Sequence, residues 1–128
     1  MKKYIGTKEV SATPAWRVDG VVYPKDGAMP RVMNREDGYK VVYEDGYESW
    51  SPKEVFEKTY KPADTFLDRM KIEHDGLQRR LRKLDLFIDS EKFLELPFSK
   101  RTLLTQQYSA MLTYCLTLKN RIKLEEER

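Results

Sequence analysis

Two segments decide the fold: 64-DTFLDRMKIEHDGLQRRLRKLDLFI-88 and 99-SKRTLLTQQYSAMLTYCLTLKNRI-122. Each carries a mostly apolar stripe at alternating spacings of three and four residues, which is the pattern of an amphipathic helix. The stripe positions are Leu67, Met70, His74, Leu77, Leu81, Leu84 and Ile88 in the first segment, and Leu104, Tyr108, Met111, Cys115, Leu118 and Ile122 in the second. The two stripes predict an antiparallel helical hairpin that buries them against each other.

The hairpin leaves apolar flanks uncovered, so we expect a second copy of the chain to cover them. Between the helices lies 89-DSEKFLELPFSK-100, where Pro97 blocks continuation of the first helix. Ser99 is predicted to cap the second helix, with Phe98 and Leu103 forming a hydrophobic staple. We expect residues 91–94 to form a single helical turn.

Residues 1–61 differ in character and predict a small β-rich subdomain ahead of the hairpin at 62–128. A first strand is expected over Lys3–Val10 and a short second strand over Gly20–Pro24. Residues 25–37 contain Gly, Pro and Asn with little periodicity and predict a loop. The predicted fold class is therefore α+β: a small antiparallel sheet with a short helix, then a long helical hairpin that oligomerises.

The strongest local signal in this half is Asp45-Gly46, flanked by Tyr39–Glu44 and Tyr47–Trp50. Asp-Gly between two apolar runs predicts a β-hairpin with a type I′ turn. The segment that follows, Ser51-Pro52-Lys53-Glu54, predicts a helix from Pro52 to about Tyr60 with a Ser51–Glu54 capping box. We expect Val55, Phe56 and Tyr60 to pack on the sheet, and Asp64 or Thr65 to cap the first long helix.

Composition narrows the function classes. A mean hydropathy of −0.72, 35% charged residues and the lack of a long apolar run predict a soluble cytosolic protein with no membrane partner. The single cysteine, Cys115, excludes an intrachain disulfide. The net charge of +3 favours an anionic ligand without requiring nucleic acid.

Catalysis has little support in the sequence. The single His and the single Cys both lie on core stripes, and His74 beside Glu73 and Asp75 lacks the spacing of a metal site. The chain contains no P-loop, nucleophile elbow or glycine-rich dinucleotide motif. We therefore expect a protein that is not an enzyme and uses no cofactor and no metal.

Basic residues cluster at three places on the helices. The clusters are Arg79, Arg80, Arg82 and Lys83 on the first, Lys100 and Arg101 at the start of the second, and Lys119, Arg121 and Lys123 near its end. One interpretation is a solvated surface with partners such as Asp75–Arg79. The other is anion recognition, in which the free N–H groups of a helix start and the Arg101 guanidinium hold a phosphate.

Three phenylalanines, Phe87, Phe93 and Phe98, bracket the bend of the hairpin. Core packing accounts for Phe87 and Phe98, but Phe93 lies within a charged segment. An aromatic ring beside arginine is an arrangement that binds nucleobases by stacking and cation–π contact. Core packing and base stacking both remain open for Phe93.

Two sets of residues resemble a small-protein family of bacteriophages and prophages. The first set is Tyr4-Ile-Gly-Thr-Lys8, Gly38-Tyr39, Val42-Tyr43, Asp45-Gly46-Tyr47 and Ser49-Trp50-Ser51-Pro52-Lys53 with Phe56; the second is Glu91-Lys92-Phe93, Leu103-Leu104, Gln107-Tyr108, Met111, Tyr114, Leu118 and Arg121-Ile122. A small sheet followed by two long helices is also similar to the Thoeris anti-defence sponge proteins. The segment between Pro14 and Gly38 departs from the commonest phage pattern.

The resemblance implies a function for the chain. The sponges hold a cyclic ADP-ribose isomer made by a bacterial defence enzyme without cleaving it, some hold cyclic di- or trinucleotides, and they assemble as dimers or hexamers. Family pockets place an aromatic residue and an arginine around the adenine, and Phe93 and Arg121 match that pair. Arg101, Thr105 and Lys53 complete the candidate ligand site.

Two other functions remain open from sequence. The hairpin is also suited to a non-enzymatic interaction or structural assembly module, which would bind no small ligand. The cluster at 79–83 is suited to weak nucleic-acid binding, although no nucleic-acid module signature is present and we do not expect a nucleic-acid partner.

Overall fold

The computed structural model describes residues 1–28 and 30–128 and has an α+β fold. The chain divides into two compact units, Met1–Lys61 and Pro62–Arg128. The first contains strands β1 (Ser11–Val18), β2 (Val21–Pro24), β3 (Glu36–Val42) and β4 (Glu48–Pro52) and helix α1 (Lys53–Thr59). The second contains helices α2 (Phe66–Ile88), α3 (Glu91–Leu94) and α4 (Phe98–Glu126). No helix within the described ranges combines the length and apolar character needed to cross a membrane.

The four strands form an antiparallel sheet in the order β2-β1-β3-β4. The strand expected over Lys3–Val10 is wrong, because β1 begins only at Ser11, opposite Val42 at the end of β3. Residues before Ser11 lie beyond the end of β3 and pair with no strand in the described part of the chain. The second strand and most of the loop at 25–37 match expectation, although Met29 lies outside the described residues and Glu36 already belongs to β3.

The type I′ turn lies at a different Asp-Gly pair from the one predicted. Asp19 and Gly20 both adopt positive φ, 49° and 81°, and join β1 to β2 as a type I′ turn requires. At the β3–β4 hairpin, which is confirmed, only Gly46 has positive φ. The Gly46 N–H donates to the Tyr43 carbonyl at 2.9 Å, giving a three-residue loop with Gly46 at the left-handed position. The type I′ prediction for this loop is thus wrong.

Gly38 in β3 allows a close approach that no other residue would permit. A Cβ atom there would lie 2.2 Å from the Ser51 carbonyl oxygen and 2.6 Å from the Trp50 ring. The Trp50 ring thus rests over the glycine from the neighbouring strand. Ala15, which pairs with Gly38 from β1, is fully buried.

Helix α1 forms as predicted, but its predicted cap is wrong. Pro52 occupies the N-cap and makes no side-chain cap bond, because Ser51 pairs with Tyr39 in the β3–β4 ladder. Phe56 stacks on Tyr39 with 4.2 Å between ring centroids, and Tyr60 stacks on Phe56 at 5.0 Å. Val55, also expected on the sheet, is exposed instead.

The helical hairpin is built as the stripes predict. Thr65 caps α2 in a full capping box with Asp68, the two bonds measuring 3.0 and 3.3 Å. Leu77, Cys115 and Leu118 form the buried centre, and Leu81 and Met111 pack against it. Burying a side chain such as Leu118 contributes about 1.5–3 kcal/mol.

The start of α4 differs from expectation. Pro97, not Ser99, is the N-cap, and it has no side-chain group to cap the first-turn N–H groups. Phe98 and Leu103 are 76% and 64% exposed, so the predicted hydrophobic staple does not form. The helix therefore begins with uncapped amides beside an exposed aromatic ring.

Candidate functional site

The bend of the hairpin is shaped by α3. Ser90 accepts a hydrogen bond from the Phe93 N–H at 3.4 Å, which starts this short turn, and its hydroxyl donates to the Phe87 carbonyl. Phe93 is buried and meets the Phe87 ring edge-on, with centroids 6.1 Å apart and planes at 84°. Phe93 therefore has a packing role within the chain, one of the two roles that the sequence left open for it.

An open cleft of about 570 Å³ lies between α3 and the first three turns of α4. Its lining residues are Phe93, Phe98, Arg101, Thr102, Thr105, Gln106 and Ser109. The volume falls within the roughly 300–1,000 Å³ typical of small-ligand pockets. The wall combines aromatic surface, one cation and several hydroxyl groups, and none of its side chains is a carboxylate, imidazole or thiol. Such a surface is suited to binding and offers no group for proton transfer at neutral pH.

Arg101 is fixed before any ligand arrives. Its Nε donates to the Leu96 carbonyl at 3.1 Å, and its guanidinium carbon lies 5.9 Å from the Phe98 ring centroid. Within residues 1–28 and 30–128, no carboxylate lies within ion-pair distance of Arg101. Its terminal N–H groups are therefore available to an anion in a fork geometry.

The hydroxyl groups of the cleft have a defined polarity. Thr102 donates to the Phe98 carbonyl at 3.0 Å, and Thr105 donates to the Arg101 carbonyl at 2.9 Å. Because their protons are committed to the helix backbone, their oxygens face a ligand as acceptors. The cleft thus offers donors at Arg101 and the helix start, and acceptors one to two turns further along α4.

The structure brings together three of the five predicted site residues: Phe93, Arg101 and Thr105. Arg121 lies 20 residues beyond Arg101 on α4, roughly 30 Å at 1.5 Å per residue, and stacks over Phe66 at 5.7 Å. Lys53 opens α1 in the N-terminal unit and is exposed. Arg121 and Lys53 stay predictions.

Sequence reasoning missed Thr102, Gln106, Ser109 and the exposure of Phe98. The sequence spacing could have indicated most of this surface. Four of its residues follow one another at intervals of four, three and four: Phe98, Thr102, Thr105 and Ser109. That interval places them on one side of a helix, away from the core stripe.

A second cavity, of about 310 Å³, lies in the N-terminal unit, where Trp50 and Pro24 are among its lining residues. The positive charge of Lys40, which lines this cavity, is already neutralised, since Lys40 forms a salt bridge with Glu48 at 3.3 Å. The bend cleft is therefore the better candidate for an anionic ligand.

Residues 64–124 match the model of a protein family described as Sequestin. The match covers 61 of the 128 residues, just under half of the chain, and includes the whole bend cleft. The name of that family indicates sequestration, which is binding rather than turnover. No curated protein and no solved structure matches the chain.

Proposed function

We propose that the chain is a phage-encoded anti-defence protein that sequesters a cyclic nucleotide immune signal in the host cytoplasm without cleaving it. The signal is a cyclic ADP-ribose isomer, a cyclic oligonucleotide, or both. The observation that supports this most is the cleft at the bend, which lies inside the segment matching the Sequestin family model and contains an unpaired arginine beside an exposed aromatic ring.

The cleft suggests a binding mode. A purine stacks on the exposed Phe98 ring, a contact worth about 1–3 kcal/mol per base in single-stranded nucleic-acid sites. Phosphate oxygens accept from Arg101 and from the uncapped N–H groups at the start of α4, where the helix dipole favours negative charge. The Thr105 oxygen accepts from an exocyclic amino group.

Retention without cleavage follows from the same residues. Hydrolysis of a phosphodiester or glycosidic bond requires a base, an acid or a metal near the bond. The side chains lining the cleft provide a guanidinium, hydroxyls and an amide, none of which takes up a proton near pH 7. The proposal includes a homo-oligomer, a dimer or a hexamer, with Arg121 and Lys53 as further ligand contacts.

The test is a capture assay. The protein is mixed with cyclic ADP-ribose isomers and with cyclic di- and trinucleotides, and the protein-free solution is analysed by chromatography before and after heating the protein. We expect one compound to disappear and to return unchanged on heating. Return of a cleaved product would contradict the proposal, and capture of nothing would favour an interaction or assembly module.

Variants locate the site. Phe98→Ala and Arg101→Ala should each weaken capture at least about tenfold, given the stacking and charge-assisted bonds they remove. Leu103→Ala is the matched control, since Leu103 is similarly exposed on the same helix and does not line the cleft. Phe93→Ala is a poor probe because it also removes a buried ring. Loss of binding with a steep dependence on salt and no preference among the compounds would indicate a nucleic-acid binder instead.

A further inference from the structure

The sheet of the N-terminal unit carries α1 on one face only. Phe56 of α1 stacks on Tyr39 of β3 with 4.2 Å between ring centroids, and successive side chains of a strand point to opposite faces. Lys40, the next residue of β3, therefore lies on the face away from α1, and the strand register places four further residues there. We call this the Trp50 face and define it by Val22, Pro24, Lys40, Glu48 and Trp50.

The cavity of about 310 Å³ in this unit lies on the Trp50 face. The five residues that define the face line it, together with Ser49. Because β2 and β4 form opposite edges of the sheet, a cavity with walls from both strands extends across the sheet. Its volume is at the small end of the range for ligand pockets, which suits a ligand of one or two small rings.

Trp50 offers this cavity a carbon surface in a fixed position. Its ring rests over Gly38 of the neighbouring strand, where an added Cβ would lie 2.6 Å from it. The Arg17 guanidinium carbon lies 5.1 Å from the ring centroid, and Arg17 is itself held by two bonds to Glu36, of 3.1 and 3.0 Å. The indole N–H is buried, so the part of the ring that lines the cavity is apolar. Such a ring stacks on the C–H groups of a ligand.

The polar side of the cavity is an ion pair with no net charge. Lys40 Nζ lies 3.3 Å from Glu48 Oε1, and the two side chains are 36% and 59% exposed. Neither makes another ion pair in the part of the chain that the structure describes, so the remaining ammonium N–H groups and the second carboxylate oxygen can reach a ligand. A donor beside an acceptor matches a hydroxyl group, which both accepts and donates. A charged ligand would instead meet one attractive and one repulsive group.

We infer that the Trp50 face binds a neutral mono- or disaccharide, with one sugar ring stacked on Trp50 and its neighbouring hydroxyl groups bound by Lys40 and Glu48. A sugar ring has both surfaces that this cavity matches, a patch of C–H groups and a rim of hydroxyls. Val22 and Pro24 contact the remaining carbon surface. A proline-rich peptide fits less well, because proline has no N–H for Glu48 and the indole N–H that could bind a peptide carbonyl is buried. The inference does not rest on the bend cleft or its proposed function.

A glycan array tests the class of ligand. The whole chain is applied to immobilised neutral, sialylated and sulfated glycans, and the sugar unit of the best-bound neutral glycan is then added free in solution as a competitor. We expect binding to neutral glycans that the free mono- or disaccharide abolishes and that high salt leaves unchanged, since no charged pair forms with the ligand. Three results would each overturn the inference: no binding, a preference for charged glycans, or binding that the free sugar does not compete away.

Isothermal titration with that free sugar locates the site. Lys40→Met and Glu48→Ala should each weaken binding at least about tenfold, because each removes bonds between a charged group and a hydroxyl. Tyr47→Ala is the matched control, since Tyr47 is an exposed residue of the β3–β4 loop and does not line the cavity. Trp50→Leu should abolish binding and Trp50→Tyr should retain most of it, with circular dichroism as the check on folding. Wild-type affinity in Lys40→Met and Glu48→Ala would overturn the inference even if Trp50→Leu does not fold.

Tryptophan emission supplies a readout specific to the stacked ring. The chain has two tryptophans, so Trp16→Phe leaves Trp50 alone, and saturation with the sugar should shift its emission. In Trp50→Tyr the remaining Trp16 pairs with Asp37 on the α1 face, and its emission should not change. The reverse pattern would overturn the inference. A protein that binds the sugar but captures no cyclic nucleotide would refute the proposed function alone, so the two failures are distinguishable.

Discussion

The two units of this chain reach their structures by different means. In the hairpin, one period of 3.6 residues determines both helices, and every stripe residue of α2 and α4 is at least partly buried. In the N-terminal unit, strand positions depend on pairing between residues far apart in sequence, such as Ser11 with Val42. Local patterns therefore predict the hairpin well and the sheet poorly.

The largest expected effect concerns the hairpin core. Leu118 is fully buried, so Leu118→Ala should lower the free energy of unfolding of the hairpin by about 2–5 kcal/mol. Denaturant unfolding followed by circular dichroism at 222 nm measures this. Leu124→Ala, at an exposed position of the same helix, is the control and should change little. Equal losses in the two variants would show that the core is not where the stripe places it.

The next effect concerns the sheet. Gly38→Ala places a methyl group against the Ser51 carbonyl and the Trp50 ring, and backbone cannot move aside as a flexible side chain can. We expect a loss of about 1–3 kcal/mol, as for an overpacked core. Tryptophan fluorescence, to which Trp16 and Trp50 in the sheet both contribute, measures this loss during denaturation. Gly6→Ala, where the added methyl meets nothing within 4 Å, should be neutral; a neutral Gly38→Ala would contradict the described packing.

A smaller effect separates the two predicted helix caps. Thr65→Ala removes a capping box and should cost about 1 kcal/mol. Ser99→Ala should cost nothing or slightly stabilise, because Ser99 lies inside α4, where alanine is the better helix former. Thermal unfolding of the two variants side by side gives the comparison. A larger loss for Ser99→Ala would restore the capping role expected from sequence.

The smallest effect is a pH dependence in the N-terminal unit. The Tyr39 hydroxyl donates to Glu57 at 2.8 Å, and this hydrogen bond raises the pKa of Tyr39 above its ordinary value. The protonated form is the one favoured by folding, so its stabilisation is complete below the ordinary pKa and is lost as pH rises through the raised one. Tyrosinate absorbance of the wild type minus Tyr39→Phe should show the late titration, and Glu57→Ala, which removes the acceptor, should abolish it. An early titration in the wild type would contradict the contact.

The sequence predicted those features of the fold that depend only on residues close together in the chain. The stripes and Thr65 as a cap both follow from interactions within a few residues. The failures at Lys3–Val10 and Asp45-Gly46 have a different cause, since both depend on where the neighbouring strand ends.

In the candidate site, too, local features were predicted from sequence and features that depend on distant residues were not. Arg101 and Thr105 could be placed at the start of a helix from local signals alone. The burial of Phe93 depends on Phe87, across the bend, and the exposure of Phe98 follows from Pro97 taking the cap in place of Ser99. The roughly 30 Å between Arg101 and Arg121 along α4 follows from the 1.5 Å rise per residue of a helix. The two residues were predicted to share one site because the resemblance to the sponge family implied it.

The most direct measurement compares ligand released from the wild type, Arg101→Ala and Leu103→Ala after incubation and heating, with the amount and identity of the compound read by chromatography and mass spectrometry. We predict a fixed ratio of intact ligand to protein for the wild type and for Leu103→Ala, and almost none for Arg101→Ala. Intact ligand released equally by all three would place the site elsewhere, and a modified ligand from the wild type would show that the protein is an enzyme.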